Sequence, residues 1–134
     1  MTTVLRLGSP RQANEGLRLG TVRRPPRGVP KADFAKRDFY DVWLPTLAPS
    51  EPLVKQAMAS HGLSPESQAR AWKSFERKFR AEMKQPDAAR LLDLLAALSH
   101  QTNFSVGCYC ADESSCHRSI LRKLLAERGA ALSR

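Results

Sequence analysis

Cysteine is scarce in this chain, with three among 134 residues, at positions 108, 110 and 116. An odd number of cysteines does not make a disulfide framework, so a reducing, cytoplasmic setting is the expected location. Long apolar runs are also missing. No stretch approaches the ~18 residues that span a bilayer, so no membrane partner is expected. Met1–Leu7 lacks the apolar core of a secretory leader. Acidic residues are few, 13 against 22 Lys and Arg, which leaves a net charge of +9. Aromatics make up only 7% of the chain, and no aromatic-rich strand resembles a stacking platform for single strands. Helix–turn–helix spacing and paired-cysteine, paired-histidine fingers are absent too. Nucleic acid as a partner therefore rests on charge alone.

What remains is ordinary globular composition, 42% apolar and 26% charged, which excludes wholesale disorder. At this length the chain is one domain spanning residues 1–134, with no internal repeat and no linker. The excess charge is uneven. Residues 1–40 hold nine Lys and Arg against three acids, a net of +6, so two-thirds of the excess lies in the first third. Its densest stretch is Arg23-Arg24-Pro25-Pro26-Arg27-Gly28. Proline fixes φ and removes donors, so this segment is a loop that holds guanidiniums out toward solvent or toward an anion. A solvated loop, nucleic-acid contact and a small anionic ligand are all consistent with it.

Thr3–Leu7 and Leu17–Val22 read as short strands, stopped by Gly8-Ser9-Pro10 and by the basic loop. From Asp33, the residues Phe34, Phe39, Val42 and Trp43 suggest a helix ending at Pro45. Ser50 and Pro52 open another helix that stops near Gly62. Ser64 is a natural N-cap before Pro65. Ala69, Trp72, Phe75, Phe79 and Met83 then recur at helical spacing, a stripe read as core. Pro86 starts a leucine-rich helix that reads as largely buried. Phe104–Cys110 is an apolar run of inner-strand type, and a last helix runs from Cys116 to Arg128 ahead of Gly129. The expected class is α/β: a small sheet of about three strands packed by about five helices. Parallel or antiparallel pairing of the first two strands stays open.

The chemistry concentrates in Cys108-Tyr109-Cys110-Ala111-Asp112-Glu113-Ser114-Ser115-Cys116-His117-Arg118. A strand over 104–110 puts Cys108 and Cys110 on one face, and Cys116, His117 and Arg118 fall at a helix start, where unpaired N–H groups favour anions. Three readings compete. A zinc site from the three cysteines and His117 has soft ligands but unusual spacing, and adjacent helical residues diverge by about 100°, so no metal is expected. A reactive Cys116 with His117 as its base fits an electropositive helix start, with Cys110 as a resolving partner. A phosphatase-type cradle, with its Cys and Arg six positions apart, is not encoded. Plain packing of small buried cysteines, with Arg118 paired to Asp112 or Glu113, is the third reading. None of these calls for a cofactor. His61 and His100 lie near helix ends and are weaker candidates, and His100 suits dipole stabilisation.

Three segments carry a family resemblance. Gly16–Leu19 through Pro26-Arg27-Gly28-Val29 is one, and Asp41-Val42-Trp43-Leu44 through Leu47-Ala48-Pro49-Ser50 is the second. The third is Phe79-Arg80-Ala81-Glu82 with the later Cys110 and Cys116-His117-Arg118-Ser119. In that order they resemble the bacterial domain-of-unknown-function family 488, in particular its short YeaO-like branch. The resemblance implies a small α/β fold and little about activity. Where that branch has an Asp after the second strand and a Trp before Pro-Arg-Gly, this chain has Val22 and Pro25, with Arg24 in place of an apolar residue. The retained set favours anion binding over acid–base catalysis. The leading expectation is a monomer that binds a phosphate-bearing ligand between the Arg23–Gly28 loop and the Cys116–Arg118 helix start. Arg23, Arg27, Arg118, Ser119 and Cys110 would contact that ligand. The alternatives are a thiol enzyme or redox sensor using Cys116 and His117, and non-specific nucleic-acid binding through the basic first third.

Overall fold

Four short strands, β1 (Thr2–Arg6), β2 (Leu17–Gly20), β3 (Val42–Trp43) and β4 (Phe104–Cys108), pair in the order β1-β4-β2-β3. Every neighbouring pair is parallel. These relations come from a computed structural model that describes residues 1–133. All five residues of β4 are buried, which is why its sequence is a continuous apolar run rather than an alternation. The chain is α/β as expected, with one more strand than the sequence suggested. The first two strands do not pair with each other: both are parallel to β4, which lies between them.

The added strand comes from a segment that reads as helix. Lys31–Asp33 is a single 3-10 turn, and Asp38 then adopts φ 63°, a left-handed conformation that ends any helix there. Beyond it the chain runs extended, and Val42 and Trp43 line up beside Leu19 and Gly20 as an edge strand. The apolar residues of 34–43 fit a strand and a packed loop as well as a helical face, and the backbone reversal decides between them.

The helical middle follows the sequence more closely. The α-helices are α1 (Glu51–Ala59), α2 (Pro65–Glu82), α3 (Pro86–Leu98) and α4 (His117–Glu127), four among the described residues where about five were expected. Further 3-10 turns follow β3, follow α1 and precede α4. Ser64 caps α2, its hydroxyl accepting from the Ser67 N–H. Phe75, Phe79 and Met83 of the α2 stripe are buried together with Leu92 and Leu95 of α3 and Ile120, Leu121, Leu124 and Leu125 of α4. Val4, Leu19, Phe104 and Val106 supply the sheet's side of that core. Burial of α3 is narrower than its leucines suggest, since Leu94 and Leu98 are exposed. A second cluster, Leu7, Val22, Tyr40, Cys108 and Cys116, closes the carboxyl edge of the sheet. None of the helices among the described residues is long and apolar enough to cross a membrane.

Candidate functional site

Parallel neighbours send their following loops out of the same edge, and this places the site. Because β2 and β4 run side by side, Thr21–Gly28 and Tyr109–Cys116 leave the sheet together. Hydrogen bonds lock the two exits to each other. Thr21 donates from its backbone N–H and its hydroxyl to the Gly107 carbonyl, at 3.0 and 2.9 Å. The Tyr109 hydroxyl donates to the Arg24 carbonyl at 3.0 Å, and the indole of Trp43 reaches the Val22 carbonyl at 2.7 Å.

Between them opens a cleft of about 720 Å³. One side is Arg23, Arg24, Pro25, Pro26 and Arg27; the other is Cys108, Tyr109, Cys110, Ser115, Cys116 and His117. Met58, Trp72, Phe75 and Phe39 make much of the remaining wall apolar, and Lys55 and His61 add polar groups. The basic loop and the Cys-His helix start therefore face one space. Trp72 and Phe75 serve two purposes, stacked on one another in the α2 stripe while presenting to the cleft.

The arginines play different parts. Arg23 is spent on the fold: its guanidinium donates to the carbonyls of Pro49, Pro45 and Ala48 at 2.9, 3.1 and 3.1 Å. Arg24 pairs with Glu51 in an exposed bridge. Arg27 is exposed on the cleft rim and hydrogen-bonds to no described residue. Arg118 is buried behind the 110–116 loop and does not line the cleft. Its Nη2 reaches the Ala111 carbonyl at 3.4 Å, while Nε and Nη1 have no partner. Glu113, a partner expected for it, instead makes a two-pronged bridge to Arg122 at 2.7 and 2.9 Å. Ser119 turns its hydroxyl back to the Cys116 carbonyl at 2.8 Å. Other cations of the basic first third are engaged as well. Arg11 pairs with Asp41, Arg18 with Glu15, and Arg6 donates to the Tyr109 carbonyl.

The cysteines gather more closely than their spacing suggests. Strand β4 ends at Cys108, which is buried, whereas Cys110 is exposed two residues beyond. Cys116 is the N-cap residue of α4 and only 2% exposed. The sulfurs of all three lie within 4.8 Å of one another. Those of Cys108 and Cys116 are in contact, with Cα atoms 7.9 Å apart, wider than the span over which two cysteines bridge without backbone movement. At that backbone separation the pair stands as two apposed thiols.

His117, at the start of α4, donates from Nε2 to the Thr21 carbonyl at 2.6 Å, which fixes its tautomer and leaves Nδ1 facing the Cys116 sulfur at 3.7 Å. Burial, assisted by Arg118, pulls its pKa down to about 4 against the pull of Thr21, so the ring is neutral at physiological pH. The Cys110 thiol is pushed up by packing around it, opposed by the positive charges of Arg118 and Arg6. Burial and Tyr40 push the Tyr109 phenol up as well. His61 lies on the cleft wall, and the His100 ring contacts the Gly129 carbonyl at 2.7 Å, tying α3 to the end of α4. Sequence reasoning missed Tyr109, Lys55 and Trp72 as cleft residues. No local signal marks them, because the cleft arises from β2 and β4 leaving the sheet side by side.

The family model described as the active DUF488-N3 subclade matches residues 2–129. No curated protein and no solved structure matches the chain.

Proposed function

The chain belongs to the DUF488 family, in the subclade described as active, and from that premise we propose that it binds a ligand with an apolar body and an anionic group in the cleft. The supporting observation is convergence: one cleft of about 720 Å³ is lined by both the Arg23–Gly28 loop and the Cys110–His117 segment. Arg27 and Lys55 supply free positive charge at the rim, Met58, Trp72 and Phe75 supply apolar surface, and the opening turn of α4 supplies backbone donors. Arg23 shapes the loop and Arg118 charges it from behind, so the anion's direct partners differ from the full set of arginines expected from sequence. Titration with inorganic phosphate and a nucleoside monophosphate, followed by backbone amide shifts, tests this. Saturating shifts in residues 23–28 and 109–117 are expected, with affinity lowered about tenfold in Arg27→Gln. No shift in either segment at millimolar ligand overturns it.

A second reading, thiol chemistry, is favoured by the exposure of Cys110 and moves from Cys116, which is buried, to that residue. Alkylation by iodoacetamide joins sulfur to carbon, expels iodide and releases the thiol proton to solvent. Its rate against pH in wild type and Cys110→Ala is the test. The dominant fast-reacting thiol is expected to vanish in the variant, with its midpoint above that of an ordinary thiol because packing raises it. Reaction that persists in Cys110→Ala overturns this reading.

A further inference from the structure

We propose that Cys108, Cys110 and Cys116 form a three-sulfur binding site for a soft divalent cation such as Zn²⁺, its fourth position left to water from the cleft. The inference goes beyond the anion-binding reading and does not rest on it. Three cysteine sulfurs lie within 4.8 Å of one another. Around tetrahedral zinc, with Zn–S near 2.3 Å, two sulfurs stand about 3.8 Å apart, so the touching sulfurs of Cys108 and Cys116 separate to admit the ion. His117 Nδ1 approaches the Cys116 sulfur at 3.7 Å but lies outside that three-sulfur group, so it flanks the site.

The surroundings hold the cluster in place: His117 Nε2 donates to the Thr21 carbonyl, which keeps its Nδ1 against the Cys116 sulfur. Two of the sulfurs are buried and the third, Cys110, is exposed on the cleft, which provides a route of entry. Three thiolates and one divalent cation carry a net charge of −1. Arg118, only 4% exposed, has two guanidinium nitrogens without a partner and acts electrostatically on Cys110. The site adds negative charge beside these nitrogens to that of Asp112 and Glu113, which act on Arg118 without hydrogen-bonding to it.

Loading proceeds by exchange: three S–H bonds give up protons to solvent as three metal–sulfur bonds form, with no change in oxidation state. Oxidation of Cys108 and Cys116 to a disulfide removes two ligands, so the protein is titrated with Co²⁺ after reduction and under anaerobic conditions. One equivalent is expected to give thiolate-to-cobalt charge-transfer absorption with the visible bands of a tetrahedral site, and Zn²⁺ is expected to displace it. In Cys110→Ser, whose exposed position spares the core, the charge-transfer intensity is expected to fall by about a third and affinity by at least about tenfold. Arg27→Gln is expected to leave the cobalt spectrum unchanged while weakening phosphate, so failure of this site and failure of the anion reading are separable. Absence of charge transfer in the reduced protein overturns the proposal. So do octahedral bands without sulfur, or a spectrum unaltered by Cys110→Ser.

Discussion

The imidazole of His117 donates from Nε2 to the carbonyl of Thr21 across 2.6 Å, joining the start of α4 to the exit of β2. The same ring packs edge-on against Phe79 of the α2 stripe, with centroids 5.6 Å apart. One side chain thus couples the helical core to the cleft. His117→Phe keeps much of the volume but leaves the buried Thr21 carbonyl unpaired, and it is expected to cost about 1–3 kcal/mol. Urea unfolding measures this as a lowered midpoint at unchanged slope.

On the opposite side of the sheet from the helices' core contacts, Arg18 and Glu15 form an ion pair out of solvent, at 0% and 4% side-chain exposure, with Nη2 and Oε1 2.9 Å apart. Arg18 Nε also donates to the same carboxylate oxygen at 3.1 Å, and Nη2 reaches the Pro10 carbonyl at 3.2 Å. Removing one member strands the other charge. Arg18→Met is expected to destabilise the protein by about 3–5 kcal/mol, and a double variant Arg18→Met with Glu15→Leu to recover much of that loss. Denaturant curves of the three variants decide it. Equal losses in the single and double variants would mean that packing rather than stranded charge sets the cost.

How far the sequence reveals this arrangement depends on how local the determinants are. Ser64 with Pro65, and the Phe75–Phe79–Met83 stripe, are local signals, and they specify α2 correctly. Phe104–Cys108 announces an inner strand because burial on both faces leaves a continuous apolar run. Val42–Trp43 is opaque, since its strand state depends on the reversal at Asp38 and on β2, more than twenty residues earlier. The site divides the same way. Its two segments are visible in the charge and in the cysteines, but their meeting follows from β2 and β4 being parallel neighbours. The engagement of Arg23 with three carbonyls of residues 45–49 has no local signature.

Acid should loosen the molecule at two carboxylates. Burial alone would raise Asp41, but hydrogen bonds from Arg11 and from the Arg18 backbone outweigh it and hold the group below its usual 3.8. The Arg122 bridge holds Glu113 below 4.5. A carboxylate whose folded pKa is depressed contributes stability that is complete above its unfolded pKa and is lost as pH falls through the folded one. Stability from these two groups is therefore expected to be flat above about pH 5 and to decline below about 4.5. Glu113→Gln should make the decline shallower. An unchanged acid limb in that variant would count against the bridge as a source.

Tyr109 offers a way to loosen the cleft without touching its charges. Its hydroxyl reaches the Arg24 carbonyl, and its ring meets Phe39 at 6.1 Å between centroids. Tyr109→Phe keeps the ring contact and removes the tie between the loops. The expected stability loss is small, about 0.5–1.5 kcal/mol. Amide exchange in residues 24–28 should accelerate while the strands stay protected, which hydrogen exchange read by residue would show.

Gly20 ends β2 directly beneath Tyr40, and a Cβ built there would lie 2.4 Å from the ring's Cδ2 and 2.8 Å from its Cγ. Tyr40 is 4% exposed and packs in the same cluster as Cys108 and Cys116. The ring cannot simply swing aside, because Phe34 meets it edge-on with centroids 5.2 Å apart. Gly20→Ala should therefore shift Tyr40 into the cluster or push β2 away from it, at a cost of about 1–3 kcal/mol. A purely local strain would lower the unfolding midpoint and leave the thiols as they are. Displacement of Tyr40 would also open the packing over the buried cysteines, so Cys108 and Cys116 should become measurably faster to react with a small disulfide reagent under native conditions. A variant that loses stability with no change in thiol reactivity would show that Tyr40 does not seal the sulfur cluster.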